Sequence, residues 1–581
     1  MLRFYRDRTA QILAVCICLV FGIAGPAAAK SALTDTSGIL KYVPDDTPYV
    51  FATGDALPDD LLDFMEPQID EVLKAYQVFF REIFRGAMTK NSADMSIEDI
   101  QKYSAIVDEL ANLLSIEEIR NAGIERHAAM VVFGNGLLPV IRIELADPAK
   151  FEVVIKRLEA AAGDSMKTGE VGGTTYRYAG DDEAQIIIGV FEGDAVFALA
   201  PANVDEDRLK AIVGLTPPAT SIAETGRLLK ISKEYGFSEY YVGYIDNLQI
   251  ASVFLDKPSG MNAVLLESAD YSFEELSDVC RKEIRGVVGI APRIVIGYGE
   301  ISIRQMNGSM IIELRDDIAR GMSTLSALVP GLGVDAGGLL SFGMSLNVPA
   351  LYAFAEARLD AIEADPFECE YFAEIQAGVA AGRAALEQPL PPFVTGLRGF
   401  KADIESLGDY ELGSDEPPDD INASLVVAME DAEAAYLMGT MMSADLATVD
   451  LQPDGVPVPL ALPLLQGVAK AAYAAMTENA LAIAIGSESR TRVSEVISAS
   501  SIEPPPIMSV SVDATAYYPL IAKSMMEEQD EEGEENPLPE SARIALSDAM
   551  KSMGAMYDRV LMDVQFTSRG IEISSSVTLQ Q

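Results

Sequence analysis

Three short patterns recur along this chain in a fixed order, and that order constrains the fold more than any other feature of the sequence. The first is a seven-residue alternating strand that closes on Asp or Asn and runs into a helical stretch. It occurs as YVFATGD ending at Asp55, YYVGYID at Asp246, SFGMSLN at Asn347 and IMSVSVD at Asp513. The second is a strand entering a helix through an acidic cap: IELADPAKF from Ile143, IELRDDIAR from Ile312 and VAMEDAEAA from Val427, capped at Asp147, near Asp316 and at Asp431. The third is a strand, a polar break and a helix, AVFALAPANVDEDRLKAIV from Ala195 and ALAIAIGSESRTRVSEVIS from Ala480. Their order is one, two, three, one, two, and then the same again, the last copy of the second pattern being a related hairpin at Ser568-Arg569-Gly570 with the strand IEISSSVTL, which lacks the helix. Asp55 and Asn347 lie 292 positions apart, Asp147 and Asp431 284, so the expectation is a duplicated unit whose copies meet near Gly331 to Gly338.

Strand-to-helix alternation combined with tight turns predicts an α+β fold: two tandem pseudo-repeats of mainly antiparallel sheets with helices packed on one face. Hairpins are expected at Gly134-Asn135-Gly136, Asn307-Gly308 and Ser568-Arg569-Gly570, since Asn and Gly accept the positive φ of tight turns. The repeat halves are expected at 39–330 and 331–581, after a short linker at 30–38. Long helical stretches at Leu61 to Arg120 and Pro349 to Leu386 read as helical hairpins, whereas Ser414 to Asp420 and Glu527 to Glu540 read as acidic, solvated loops. Asp55, Asp246, Asn347 and Asp513 are expected to be helix caps, because a short side-chain oxygen can accept a hydrogen bond from the free amides of a first turn.

Residues 1–29 combine Arg3, Arg6 and Arg8, an apolar run from Ile12 to Ile23 and the small-residue exit Ala27-Ala28-Ala29. This is the layout of a cleavable secretory signal peptide. The run is too short to span a bilayer, and no later segment is apolar enough to do so. The expected location is therefore the periplasm, with secretion or membrane anchoring as alternatives, and with no integral membrane segment after cleavage. The chain carries 43 Lys plus Arg against 89 Asp plus Glu, a formal charge of −46. That balance argues against a nucleic-acid partner, which needs a basic footprint.

The segment KYVPDDTPYVFA, with Tyr42 to Ala52 at its heart, and the layout of strand-Asp-helix units resemble exported bacterial proteins grouped under a domain of unknown function. The resemblance implies no activity and carries no catalytic residue onto this chain.

Catalytic raw material is scarce. His127 is the single histidine and reads as a structural or surface residue. There is no nucleophile elbow, phosphate loop or dinucleotide fingerprint. No metal ligand set, cofactor site or catalytic residue is assigned. The acidic run at Glu527 to Glu540 lacks calcium-loop spacing; Met550, Met553 and Met556, with Met562 beyond, have a spacing that could hold copper, but Ile544, Ala545, Ala549, Met553 and Met556 form a helical apolar stripe and read as core. Beyond the signal segment the cysteines are Cys280 and Cys369, a candidate disulfide between the halves in an oxidising compartment.

The reading that follows is a non-enzymatic periplasmic envelope protein acting as a binding or assembly scaffold for an unknown protein partner. The alternative is a carrier for an apolar ligand such as lipid, held under helices rich in methionine: Met438, Met441, Met442, Met525 and Met526. A carboxylate-based hydrolase, which needs only two acidic residues, is third. Intact mass of protein exported by its host tests the targeting: the expected species starts at Lys30, and a mass retaining residues 1–29, or a lipid on Cys16, would reject it.

Overall fold

The computed structural model describes residues 32–90, 97–163, 166–180, 183–268, 271–408, 421–443, 445–461, 471–527 and 539–580. The signal segment 1–29, the loop 414–420 and residues 528–538 of the acidic run lie outside them.

Runs in which Val, Ile, Phe or Tyr alternate with smaller residues form strands, since branched and aromatic side chains fit a pleated surface. In chain order these are β1 (Tyr49–Thr53), β2 (Met130–Asn135), β3 (Leu138–Glu144), β4 (Lys167–Val171), β5 (Thr174–Gly180), β6 (Ala184–Phe191), β7 (Asp194–Pro201), β8 (Tyr241–Asp246), β9 (Arg293–Ile301) and β10 (Gln305–Glu313). There follow β11 (Leu340–Ser345), β12 (Leu397–Ser406), β13 (Asn422–Met429), β14 (Val458–Pro459), β15 (Ala472–Met476), β16 (Ala480–Ile485), β17 (Met508–Asp513), β18 (Tyr557–Phe566) and β19 (Gly570–Leu579). The principal helices are α1 (Asp59–Lys90), α2 (Ile97–Asn112), α3 (Pro148–Ala162), α4 (Asn247–Leu255), α5 (Asp278–Val288), α6 (Val348–Ala364), α7 (Ala373–Leu386), α8 (Ala432–Met442), α9 (Ser489–Ser498), α10 (Ala514–Glu527) and α11 (Glu540–Met556).

The chain forms two compact units that are not contiguous in sequence. Unit 1 takes the described residues up to 277 together with 293–308 and 539–556; unit 2 takes 278–292, 309–527 and 557–580. They therefore depart from the expected spans 39–330 and 331–581: α5 belongs to unit 2 and α11 to unit 1. The cause is packing that a local pattern does not reveal. Ala545 and Ala549 of α11 close against Val72 and Ala75 of α1, and α5 is bonded through Cys280 to Cys369.

The sheet of unit 1 runs β9-β8-β1-β2-β3-β7-β6-β5-β4, with every neighbouring pair antiparallel. The sheet of unit 2 runs β18-β17-β11-β12-β13-β16-β15-β14, again antiparallel throughout, with β19 beside β18. The orders coincide when β1, β2 and β3 are matched with β11, β12 and β13, β5 to β7 with β14 to β16, and β8 and β9 with β17 and β18.

In unit 1 helices cover both faces of the sheet rather than one. Ile141 and Ile143 of β3, Ala195 and Phe197 of β7 and Ile186 and Ile188 of β6 are buried under α2 and α3, through Ile106, Val107, Leu110, Phe151, Val154, Ile155 and Leu158. Period-two alternation sends Arg142 to the other face, where the guanidinium is 1% exposed. Its Nε donates to Asp194 Oδ2 at 2.6 Å, Nη1 to the Val213 carbonyl at 3.1 Å and Nη2 to the Phe191 carbonyl at 2.9 Å. The Tyr42 ring lies 3.4 Å from the guanidinium carbon. Gly214 (φ 80°) lets the chain turn there, and a Cβ would sit 2.3 Å from Arg142 Nη1. Burial pushes the Asp194 carboxyl up from its ordinary pKa, and Arg142 pulls it back down.

One expected turn sits elsewhere. Asn307 and Gly308 lie inside β10; the turn before it is Ser302 to Arg304, where the Ser302 N–H donates to the Gln305 carbonyl at 2.8 Å and its hydroxyl accepts from the Arg304 and Gln305 amides. Turn chemistry supplied by a serine hydroxyl displaced the Asn-Gly signal. The turn at Ser568-Arg569-Gly570 forms, closed by Thr567 N–H to the Gly570 carbonyl at 2.8 Å.

The Arg142–Asp194 pair sets a stability test. Arg142→Met strands a buried carboxylate and should cost about 3–5 kcal/mol. Urea unfolding of that variant and of Arg142→Met with Asp194→Leu should show the second change recovering most of the loss.

Candidate functional site

In unit 2 the strand alternation is intact but its sense is reversed. The covered face of the sheet carries Ser341 and Ser345 of β11, Lys401 and Asp403 of β12, Ser424 of β13, Ser509 and Ser511 of β17 and Asp563 of β18, all buried. The segment 327–338 and α9 lie against it. Lys401 Nζ donates to the Val334 carbonyl at 3.2 Å and stands 3.3 Å from Asp403. Ser345 Oγ donates to the Pro506 carbonyl at 2.7 Å, and Ser511 Oγ to Asp335 Oδ1 at 3.0 Å. Arg492 of α9 pairs with Glu405 and lies 3.7 Å from Asp403. Burial raises the Glu405 and Asp563 carboxyls above their ordinary range. Space on this face is tight at Gly343, where an added Cβ would meet the Leu332 side chain at 2.6 Å.

The large apolar residues must then stand on the other face. They are Phe342 and Met344 of β11, Phe400 of β12, Leu425 and Val427 of β13, Ile483 of β16, Val510 of β17 and Met562 of β18, brought side by side by pairs such as Phe342↔Ala402, Met344↔Phe400, Leu425↔Ile483 and Val510↔Met562. The Phe342 and Phe400 rings lie 5.8 Å apart. Met344, Leu425, Ile483 and Met562 keep 36–42% of their surface exposed, and the other four are half-buried. Complete burial of such a side chain contributes about 1.5–3 kcal/mol, so the face stands several kcal/mol short of covered. An apolar sheet surface of this kind can accept an apolar occupant.

The elements rooted at this face are thinly packed. α6 leaves the end of β11 through the Asn347 cap, and the chain returns from α7 to the start of β12. In α6 only Val348 is buried, and in α7 only Val379. The tip between them is held by α5: the Cys280–Cys369 disulfide (S–S 2.02 Å) joins them, and the Glu283 carboxylate accepts from the Glu368 and Cys369 amides at 2.9 and 3.0 Å. α8 follows β13 through Asp431, whose Oδ1 accepts from the Ala434 amide at 2.8 Å. Its Met441 and Met442 are each 86% exposed, while Met438 is half-buried. Met525 and Met526 lie on α10, away from α8 in sequence and on a different strand connection.

Of the proposed caps, Asp246 Oδ1 accepts from the Gln249 amide at 2.9 Å, Asn347 Oδ1 from the Ala350 amide at 3.3 Å and Asp513 Oδ1 from the Ala516 amide at 3.1 Å. Asp55 is different: α1 begins at Asp59. Pro58 disfavours helical backbone at the residue before it, which counts against a helix opening directly after Asp55. His127 Nε2 lies 2.8 Å from Asp59 Oδ1, beside Arg126, which reaches Asp63 at 2.5 Å and Glu66 at 3.0 Å. Those carboxylates hold the Arg126 guanidinium well above its usual pKa. In α11, Ala545, Ala549 and Met556 are buried and Met553 packs with the α1 cluster.

The clefts of the described residues gather little chemistry. One of about 420 Å³ in unit 1 is lined by Asp46, Asn135, Gln249, Ser252 and Asn262 among others. One of about 270 Å³ in unit 2 is lined by Glu405 and Asp513, but Glu405 is committed to Arg492, and Asp513 to its cap and to Arg559 at 3.8 Å. Among the described residues no group of three or more His, Cys, Asp or Glu is placed to hold a metal ion, and no helix is long and apolar enough to cross a membrane.

Sequence reasoning singled out the α8 methionines but missed the sheet face beside them. The signal was present: in SFGMS, KADIE and MSVSV the polar phase is almost all Ser, Gly, Lys or Asp, which reads as solvent-facing. No family model matches the chain, and no curated protein and no solved structure is significantly similar to it.

The caps yield a direct measurement. Asp513→Asn keeps the acceptor oxygen and should melt within about 0.5 kcal/mol of the parent, whereas Asp513→Ala should lose about 0.5–2 kcal/mol; equal losses in thermal melts would show that the charge, not the cap, matters.

Proposed function

We propose that this protein is an exported, non-enzymatic binding protein that holds an apolar, chain-like ligand, such as the acyl part of a lipid, against the open face of the unit 2 sheet. The observation that carries this reading is the alternation of β11, β12, β13, β16, β17 and β18, which buries serines and small residues and leaves Met344, Leu425, Ile483 and Met562 outward. The Cys280–Cys369 disulfide supports an oxidising compartment, in keeping with a periplasmic location. The chain's charge of −46 repels anions, which favours a ligand with an uncharged head.

The reading includes a duplication. The matching strand orders support it, as does the 284-residue spacing of Asp147 and Asp431, which cap helices after matched strands. On this view unit 1 keeps the sealed form of the fold, and unit 2 keeps cover on its outer face over β15, where Ala432, Leu451 and Leu460 pack with Ala474 and Met476, but has lost it over Met344, Leu425 and Met562.

Native mass spectrometry of protein purified from its host is expected to show a non-covalent lipid-sized adduct. Leu425→Asp with Ile483→Asp, both at exposed positions, should abolish the adduct and shift the melting temperature by only a few degrees. A retained polypeptide in place of the adduct would instead support an assembly scaffold using the same face. A bare chain would reject both.

A further inference from the structure

We infer that α8 is a lid over the open face of the unit 2 sheet, an inference that rests on the binding reading above. The template for the closed position is within the chain itself. α3 follows β3 as α8 follows β13, and both start at an Asp cap, Asp147 and Asp431. At four, seven, eight and eleven residues past its cap, α3 places Phe151, Val154, Ile155 and Leu158, all buried against the sheet. The same positions of α8 are Ala435, Met438, Gly439 and Met442. They have helical i, i+3, i+4, i+7 spacing and so form one stripe. In α3 that stripe is sealed; in α8 Met442 is 86% exposed.

The strand partners correspond as well. Phe151 stacks edge-on against Phe197 with ring centroids 5.8 Å apart, and Phe197 pairs with Ile141, six residues before Asp147. Six residues before Asp431 is Leu425, which pairs with Ile483. A helix lying over this face as α3 lies over its own would bring Ala435 above Ile483. Replacing Phe by Ala and Ile by Gly removes two large side chains from the contact, leaving room between helix and sheet. Met438 and Met442 are unbranched and adaptable, suited to closing on an occupant of irregular shape. Movement has a pivot: Ala432 is buried, and the Tyr436 hydroxyl donates to the Leu446 and Val449 carbonyls, so the first turn is held. Gly439 weakens the helix beyond it.

The chain contains no Trp, so Met442→Trp supplies a single reporter. Titration of the full exported chain with a neutral monoacylglycerol should move its emission to the blue, while Ile375→Trp on α7 should not shift. Met438→Asp with Met442→Asp should speed release of the monoacylglycerol about tenfold or more, measured by dilution and native mass spectrometry. Monoacylglycerol that binds with unshifted Met442→Trp emission and unchanged release overturns the lid and leaves the binding reading standing. Failure of the parent protein to bind it at all overturns the binding reading, and the lid with it.

Discussion

A strand sends every second side chain to each face of its sheet, so one face cannot be changed without committing the other. The two units of this chain apply that constraint in opposite senses. In unit 1 both faces carry large side chains, and both are covered. In unit 2 the side closed by segment 327–338 and α9 carries serines, glycine, alanines, Val426 and a few charged groups. The phenylalanines, methionines and aliphatics of the same strands are thereby directed outward. The openness of that face and the closing of the other thus belong to one alternation.

The buried charges show how that closure is maintained. Lys401, Asp403, Glu405 and Arg492 form a connected set, with a backbone carbonyl taking one of the lysine protons. In unit 1 a single arginine does similar work, spending its donors on Asp194, Phe191 and Val213 and its flat face on Tyr42. Ion pairs of this kind are weak contributors to net stability, yet costly to break. They tie segments distant in sequence to one strand and penalise any slip of register, which would leave a charge without its partner.

Much of the fold was legible from local pattern. Asp246 and Asp513 end strands and cap helices, and Asn347, two residues past β11, caps the next one, because one short side-chain oxygen reaches an amide three residues on. Antiparallel pairing followed from the hairpin at Gly136, whose φ of 60° only a permissive residue takes readily. The errors came from neighbours that outvoted a motif: Pro58 displaced the helix start from Asp55, and Ser302 took the turn from Asn307-Gly308. The place of α11 was not legible, because Val72 and Ala545 carry no local mark of one another; Cys280 and Cys369 were legible as a pair, but not that the bond would tie α5 into unit 2. The open face was hidden for a different reason. Serines in alternation with apolar residues signal an amphipathic strand, but not which side meets water.

The placement of α11 bears on the order in which this chain can be completed. Unit 1 is built from residues up to 308 except for one helix, and that helix is supplied by residues 540–556, close to the end of a 581-residue chain. During synthesis or export, Val72 and Ala75 must therefore wait, uncovered, for nearly the whole polypeptide to arrive. Closing so long a loop is entropically slow to begin and modest in its final cost. A cut between residues 308 and 309 would leave the N-terminal piece without α11 and its unit incomplete.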